Sequence, residues 1–413
     1  MKHKNEKAIE PPGIRADGER IMNLLNAIAE TGMGADGGVT RLAFSQEYFE
    51  TAERLRHLLP EECQGGVYRD FAGNLHVIRR GGSQELPEIA IGSHLDTVPE
   101  GGRFDGAAGI AAGVEVFRLL EAEGRRLRHN LHLILFNAEE AGPLGGTFGS
   151  RALLSQADQK TPEAQRALEL VAGRMKDIPL KEPGLDKVKC FVELHIEQGG
   201  VLDQEKLPIG VVSGIYGIRR YAIRMKGQSN HGGTTPMRAR KDPLAAMARW
   251  ITFVYEKAEG CGSRLVATVG KMDVKPNLES VIPGEVEAIL EIRSLSEEKM
   301  DGLWEEAEAF GKSCKGVSWE GGLKVDKPPL HLDGKMISII ETACGLRGVP
   351  YKKMPSGAGH DAKSFGAAGI PAGMIFIPSV GGKSHCKEEF STPEQLALGA
   401  DVLYQAILLL DGC

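Results

Sequence analysis

Short apolar runs that end in histidines and acidic residues constrain the fold of this chain more than any other feature. Residues 88–93 (EIAIGS), 130–137 (NLHLILFN) and 189–195 (KCFVELH) each have the pattern of a buried strand, and residues 106–123 have the apolar spacing of a helix. Buried strands that alternate with helices predict an α/β domain, with a mixed, mainly parallel sheet flanked by helices. In such sheets ligands bind beyond the carboxyl ends of the strands, so we expect a site there.

The rhythm of strands and helices changes between residues 215 and 328. Within that segment the apolar pattern gives the order β-α-β-β-α-β, which is typical of a ferredoxin-like α+β domain. The alternation of the first domain then resumes. We therefore predict a catalytic domain built from residues 1–214 and 329–413, with residues 215–328 inserted into it as a second domain.

The composition argues against several other classes of protein. The 50 Lys and Arg residues and 56 Asp and Glu residues leave a net charge of −6, which gives no reason to expect nucleic acid or an anionic membrane as a partner. No apolar run approaches the ~20 residues that a membrane helix needs, and the polar N-terminus does not read as a secretion signal. The 7 cysteines are scattered and form no C-x-x-C pair, so neither a disulfide framework nor a thiolate zinc site fits. We expect a cytoplasmic protein without nucleic-acid or membrane partners.

The polar clusters at the predicted strand ends contain ligands that divalent metal ions prefer. Taken along the chain, these histidines and carboxylates are His94, Asp96, Asp105, Glu139, Glu140, His195 and His385. Such nitrogen and oxygen ligands suit Zn, Mn or Co. Each of these residues taken alone is more often a surface, capping or turn residue. As a set they indicate a metal site, because several of them are predicted to lie at the same edge of one sheet.

We predict that this site holds two divalent ions, with Asp105 as the shared ligand. Two ions about 3.5–4 Å apart need a carboxylate between them. Asp105 lies in a turn next to glycine, where the backbone can approach the ions closely. His94 and His195 are then predicted to bind one ion. Glu140 and His385 are predicted to bind the other.

Two more carboxylates have predicted catalytic roles beside these ligands. Asp96 follows His94 by two residues, and we expect its side chain to accept the second N–H of the imidazole and so to fix the ring. Glu139 is left to deprotonate the attacking water and to pass the proton to the leaving nitrogen.

Several long motifs resemble those of the amidase (hydantoinase/carbamoylase) branch of the two-metal aminoacylase and carboxypeptidase superfamily. They are GSHLDTV, RFDGAAGIAAGVE, NAEEAG, ELHIEQGGVL, GQSNHGGTTPM, PNLESVIPG, SGAGHDA and GGKSH. The resemblance extends from about Gly38 to the end of the chain. The branch includes N-carbamoyl-L-amino-acid hydrolases, ureidopropionase and allantoate amidohydrolase. It therefore implies a hydrolase that uses two divalent ions per subunit to cleave a C–N bond in a small ureido substrate.

The resemblance also implies roles for individual residues. It agrees with the ligand set and with Glu139 as the general base, and it implies that the inserted domain acts as a lid and as the interface of a homodimer. The substrate contacts that it implies are Gln198, Arg220, His231, Asn277, Arg293 and Gly359. In the family the counterpart of His231 reaches the active site of the neighbouring subunit, where it can polarise the substrate carbonyl. Arg293 offers a planar fork for a substrate carboxylate.

Some positions depart from the pattern of the branch and leave the substrate open between allantoate and an N-carbamoyl-L-amino acid. Ile218 stands where allantoate amidohydrolases carry a glutamine before the pair Arg219-Arg220, whereas the NHGGTTPM and SGAGHDA segments are more similar to allantoate-type enzymes. Gly232 replaces the usual alanine after His231, which is expected to loosen that loop. Pro143 and Glu291 also differ from the residues common in the branch.

Two other hypotheses remain at this point. An aminoacylase or dipeptidase on the same scaffold would keep the metal ligands, but His195 and the HIEQG motif argue against it. A ligand-binding relative without catalysis would have lost some ligands. The ligand positions and Glu139 are all intact, which argues against that relative too.

Overall fold

The structure is a computed structural model that describes residues 14–140, 142–182, 184, 187–262 and 265–413. Contacts among them divide the chain into two units, one made of the described residues up to Ser213 together with Leu332–Cys413, and the other of Gly214–His331. The predicted insertion, residues 215–328, begins one residue after the second unit begins and ends three residues before it ends. Residues 1–13 of the predicted first domain lie outside the described part.

Helices and strands have the following bounds. The helices are α1 (Gly18–Ala29), α2 (Gln46–Leu58), α3 (Glu61–Gln64), α4 (Ala107–Ala122), α5 (Phe148–Leu153), α6 (Pro162–Arg174), α7 (Val201–Glu205), α8 (Pro243–Gly260), α9 (Glu297–Ser313), α10 (Gly334–Arg347), α11 (Asp361–Ala367) and α12 (Pro393–Gly412). The strands are β1 (Val67–Arg69), β2 (Leu75–Arg79), β3 (Glu88–His94), β4 (Leu131–Phe136), β5 (Val188–Ile196), β6 (Ile209–Ile215), β7 (Gly217–Lys226), β8 (Asn230–His231), β9 (Leu265–Lys275), β10 (Val281–Ile282), β11 (Glu285–Ser294), β12 (Ser318–Lys327), β13 (Leu330–His331), β14 (Tyr351–Ser356) and β15 (Ala372–Ile377).

A large mixed sheet forms the centre of the first unit. Within this unit the strand order is β1-β2-β4-β3-β5-β15-β6, with β14 paired to β6. The four central strands β4, β3, β5 and β15 run parallel, and the outer pairs are antiparallel. Every residue of β4 and β15 is buried, as expected for strands that are covered on both faces. The predicted α/β class with a mixed, mainly parallel sheet is confirmed.

Helix α4 is buried along most of its length because it lies between the sheet and two other helices. It packs against β3 and β5 on one side and against α1 and α12 on the other. A helix covered all round needs apolar and small residues on every face, which explains the sequence AAGIAAGVEVF at its start. Gly109 allows the closest approach to the sheet, because a Cβ at this position would overlap the main-chain oxygen of Leu194 in β5.

The second unit contains a four-stranded antiparallel sheet with the order β12-β7-β11-β9. Helices α8 and α9 pack on one face of it. Residues of β7 and β11 alternate between buried and more exposed positions, so the sheet has an apolar face under the helices and a charged face opposite. The element order and the strand order are those of a ferredoxin-like fold, as the sequence pattern predicted.

Among the residues that the structure describes, no helix combines the length and the apolar character that crossing a membrane requires.

The close approach at Gly109 gives a stability prediction. In Gly109→Ala the new methyl group meets rigid backbone, so we expect the free energy of unfolding to fall by about 1–3 kcal/mol. Gly113→Ala is the matched control on the same helix. Its Cβ would lie 2.7 Å from the Leu133 Cδ1 atom, which belongs to a side chain that can move, so the loss should be smaller. Denaturant unfolding of both variants measures the difference, and an equal effect would contradict this view of the packing.

Candidate metal centre

The predicted ligands meet at the carboxyl edge of the parallel strands. His94 ends β3, His195 is the next-to-last residue of β5, and Glu140 follows β4 after a short turn. Asp105 lies just before α4, and His385 lies in the loop that follows β15. Because adjacent parallel strands end at the same edge, residues that are far apart in the chain become neighbours there.

One oxygen of Asp105 faces two imidazole nitrogens. The Nε2 atoms of His94 and His195 lie 3.3 Å apart. They lie 3.4 and 3.2 Å from the Oδ1 atom of Asp105. The Nδ1 atom of His94 lies 3.0 Å from the main-chain oxygen of Asp96, and that of His195 lies 2.8 Å from the main-chain oxygen of Ile196. Each Nδ1 therefore donates a hydrogen bond to a carbonyl oxygen, which leaves the Nε2 atom of each neutral ring free of a proton and able to bind an ion.

The other oxygen of Asp105 faces a second group. The Nε2 atom of His385 lies 3.1 Å from the Oδ2 atom of Asp105 and 3.4 Å from the Oε1 atom of Glu140. In each group one ligand atom per residue can be chosen so that all lie within 4.8 Å of one another, as an ion would require. The two groups share only Asp105. The structure thus brings the five predicted ligands together around one aspartate.

These residues fit divalent cations on two physical grounds. The Oδ1 atom of Asp105 is buried and has no hydrogen-bond partner, which is rare for a carboxylate oxygen unless a cation completes its surroundings. Burial also raises the pKa of Glu139 well above its usual range and raises the pKa of Glu140 to about 7. A site that collects buried carboxylates so densely is stabilised in its charged form by cations.

Asp96 plays a different part from the one predicted for it. Its Oδ1 atom lies 3.9 Å from the Nδ1 atom of His94, so the main-chain oxygen of Asp96, and not the carboxylate, accepts the imidazole proton. The carboxylate instead accepts hydrogen bonds from the backbone N–H groups of Glu139 and Glu140, at 3.1 and 3.0 Å. Asp96 therefore orients His94 through its backbone and the pair of glutamates through its side chain.

Glu139, the predicted general base, lies beside the first group of ligands. Its Oε2 atom is 3.9 Å from the Nε2 atom of His94, and the carboxylate is largely buried. The preceding Ala138 has a φ of 58°, a left-handed conformation that turns the chain sharply after β4. A Cβ on Gly359 would come within 3.8 Å of the Oε1 atom of Glu139, so the predicted pocket residue Gly359 lies beside this carboxylate.

Gln198, predicted to contact substrate, lies within hydrogen-bonding distance of two of the ligands. Its Nε2 atom donates to the Oδ2 atom of Asp105 at 2.9 Å and lies 3.3 Å from the Nε2 atom of His385. Its backbone has a φ of 60°, so it leaves β5 through a left-handed turn. The structure therefore places Gln198 next to the second group of ligands.

Sequence reasoning did not single out every residue around the centre, and Glu389 and Ser384 are two that it missed. The buried Glu389 and the hydroxyl of Ser384 both hold the loop that carries His385. The available signal was their position in GGKSHCKEE, one residue before and four residues after His385. The segment is a loop without a helical or strand pattern, so nothing in the sequence distinguishes Glu389 from the exposed Glu388 beside it.

The predicted arginines of the second unit are held by one acid. On the charged face of the sheet, the Nε atoms of Arg220 and Arg293 donate to the two oxygens of Glu291, at 2.5 and 2.7 Å. Arg219, the neighbour of Arg220, points to the opposite face and pairs with Asp326, Glu297 and Asp301. Because neighbouring residues of a strand point to opposite faces, Arg219 does not share the face that carries Arg220 and Arg293.

His231 and Asn277 lie on exposed segments of the second unit. The Nδ1 atom of His231 accepts hydrogen bonds from the backbone N–H groups of Gly233 and Thr234, at 3.0 and 3.3 Å. Asn277 has a φ of 57°. Gly232 donates to the main-chain oxygen of Ser280 at 2.7 Å, and a Cβ there would lie 2.9 Å from that oxygen. The glycine thus lets β8 and the segment before β10 lie close together. The loosening of the loop expected from Gly232 stays a prediction.

With this geometry in place, comparison with known proteins decides the family. Residues 90–409 match Peptidase family M20/M25/M40. The chain belongs to this family. Enzymes of the M20 family are metal-dependent, in agreement with the clusters of candidate ligands.

Alignments with relatives of stated activity cover nearly the whole chain. It is 36% identical over 407 residues to an N-carbamoyl-L-amino acid amidohydrolase of Geobacillus stearothermophilus, which covers 94% of this chain and 98% of that protein. It is 32% identical over 413 residues to an allantoate amidohydrolase of Bacillus subtilis, with 93% and 97% covered. An amidase of the hydantoinase/carbamoylase family from Burkholderia multivorans has a similar structure, with a TM-score of 0.88, 30% identity and 96% and 98% covered. The predicted resemblance to the hydantoinase/carbamoylase branch of the M20 family is confirmed.

Proposed function

We propose that this protein is a two-metal amidohydrolase that cleaves the ureido C–N bond of allantoate or of an N-carbamoyl-L-amino acid. The observation that carries the proposal is the shared aspartate, since Asp105 directs one oxygen to each of two ligand groups. The activities named for relatives of similar length support the choice of bond. Neither substrate is favoured by the residues that depart from the pattern of the branch.

The residues around the ions have separate tasks. His94, Asp105, Glu140, His195 and His385 would hold the divalent ions, which would supply Lewis acidity to the substrate carbonyl and to the attacking water. Glu139 takes a proton from the attacking water and delivers it to the nitrogen that leaves when the C–N bond breaks. Asp96 holds the backbone of Glu139 and Glu140 in place, so that the base and a ligand keep a fixed spacing.

His231 is suited to donate a hydrogen bond to a carbonyl oxygen. Because its Nδ1 atom accepts two backbone N–H groups, the proton of the neutral ring is on Nε2. A donor of this kind stabilises the negative charge that develops on the oxygen during attack. The homodimer, in which His231 would serve the partner's active site, stays a prediction, as do the cytoplasmic location and the role of the inserted unit as a lid.

The arginines that Glu291 holds support a substrate with a carboxylate. Allantoate and N-carbamoyl amino acids both carry one. The Nε atoms of Arg220 and Arg293 both donate to Glu291, and these hydrogen bonds restrict the orientation of the two side chains. A guanidinium whose orientation is already restricted loses less side-chain entropy when it binds a carboxylate. Glutamate at position 291, where aspartate is common in the branch, has the length to reach both arginines.

A panel of substrates tests the proposed function. The purified protein, loaded in turn with Mn²⁺, Zn²⁺ or Co²⁺, is assayed with allantoate, N-carbamoyl-L- and N-carbamoyl-D-amino acids, dipeptides and N-acetyl amino acids. We expect release of ammonia from a ureido compound and loss of the activity on chelation. Hydrolysis of dipeptides or N-acetyl amino acids alone would contradict the proposal, and so would the absence of any hydrolysis.

Glu139→Gln tests the general base. The amide keeps the shape of the side chain but cannot take a proton, so we expect kcat to fall by about 10²–10⁴-fold. The ligand groups around Asp105 do not need Glu139, so the metal content, measured by elemental analysis, should stay at the wild-type value. Full activity would remove Glu139 from the mechanism.

Arg293→Ala tests the contact to the substrate carboxylate. Loss of a charge-assisted pair of hydrogen bonds should raise KM by about 10- to 100-fold with a smaller change in kcat. Arg224→Ala is the control, because Arg224 lies on the same face of the sheet and donates in the same way to a glutamate of β11, Glu287, at 2.7 Å. Steady-state kinetics should show an unchanged KM for this control. Equal effects in both variants would mean that the carboxylate is bound elsewhere.

A further inference from the structure

Glu389 is a buried carboxylate that bridges two distant segments of the chain. It is 2% exposed and lies in the loop between β15 and α12. Its Oε1 atom accepts hydrogen bonds from the backbone N–H groups of Phe104 and Asp105, both at 2.9 Å. Its Oε2 atom accepts from the hydroxyl of Ser384 at 3.0 Å and from the backbone N–H of His385 at 3.3 Å. Each oxygen therefore holds one of the two segments.

The two segments carry the ligands of the second group. Asp105 and His385 face each other there, yet about two thirds of the length of the chain separates them in sequence. The backbone of His385 has a φ of 56°, a left-handed conformation that is unfavourable for a side chain with a Cβ. A hydrogen bond from its N–H group to a fixed acceptor stabilises this conformation. Glu389 thus holds the backbones of both ligands at once.

The surroundings of Glu389 are built to admit this side chain. A Cβ on Gly102 would lie 2.5 Å from the Cβ of Glu389, so the chain passes the glutamate only with glycine at that position. Ser384 connects the two carboxylates further, since its hydroxyl lies 3.0 Å from Glu389 and 3.3 Å from the Oδ2 atom of Asp105. A carboxylate with this many donors is the best acceptor available, because each oxygen can take two hydrogen bonds.

We infer that Glu389 is a positioning residue for the second metal ion, which sets the distance between Asp105 and His385 through their backbones. The inference rests on the proposed two-metal function. Glu389 is expected to affect mainly the ion bound by Asp105, Glu140 and His385. The ligands His94 and His195 of the other ion are oriented by their own hydrogen bonds to main-chain oxygens. Mutation of a residue that does not bind the metal itself but hydrogen-bonds to a ligand typically weakens metal affinity by about 10- to 100-fold.

Glu389→Gln separates the two halves of this bridge. We expect the amide oxygen to face the backbone N–H groups of Phe104 and Asp105, because these donors are fixed. The hydroxyl of Ser384 can instead rotate and accept a hydrogen bond from the amide. The amide NH₂ group then faces the backbone N–H of His385. Because both groups are donors, the hydrogen bond to His385 is lost. Titration of Mn²⁺ into the metal-free full-length protein, followed by calorimetry, should give a first ion with wild-type affinity. The second ion should bind about 10- to 100-fold more weakly.

Two further variants complete the test. Glu388→Gln changes the exposed neighbour of Glu389 and should bind both ions as the wild type does. Ser384→Ala removes only a hydroxyl and should weaken the second ion in the same direction by a smaller factor, and this variant decides the matter if Glu389→Gln does not fold.

The outcomes distinguish this inference from the proposed function. Wild-type affinity for both ions in Glu389→Gln and Ser384→Ala would overturn the positioning role and leave the two-metal function standing. Equal weakening of both ions, with a lower unfolding temperature, would overturn it as well, since Glu389 would then support the fold in general. A wild-type protein that binds only one ion would instead contradict the proposed function.

Discussion

The carboxylate of Asp105 is the group around which the site is organised, because its two oxygens serve two different sets of ligands. Its position depends on the first turn of α4. Gly106, which comes next, has a φ of 65°, and a Cβ there would lie 2.5 Å from the Nδ1 atom of His94. Only glycine lets the chain turn into the helix so close to a ligand. The buried helix in turn packs on β3 and β5, which carry His94 and His195.

Much of the site could be predicted because strand ends are visible in the sequence. The runs that became β3, β4 and β5 have continuous apolar character, and parallel strands bring the residues after them to one edge. That rule was enough to group His94, Glu140 and His195. Asp105 and His385 do not end strands, and their place in the set came from their chemistry and from the family motifs.

The remaining details of the site depend on the backbone conformation of loops. Loops have no periodic pattern of apolar residues, so their conformation could not be predicted from the sequence. The role of the Asp96 side chain follows from the left-handed turn at Ala138, which presents two N–H groups to it. Glu389 acts across more than 280 residues of chain, as the hydrogen bond to the backbone of Asp105 shows. By contrast, the opposite directions of Arg219 and Arg220 follow from strand geometry alone, as the alternation along β7 shows.

The most direct measurement of the central claim is anomalous X-ray diffraction from crystals of the Mn²⁺-loaded protein, with data collected on both sides of the manganese absorption edge. The account predicts two peaks about 3.5–4 Å apart, one on each side of the Asp105 carboxylate. His94 and His195 should ligate one ion, and Glu140 and His385 the other. A single peak, or a pair of ions that does not share Asp105, would contradict it.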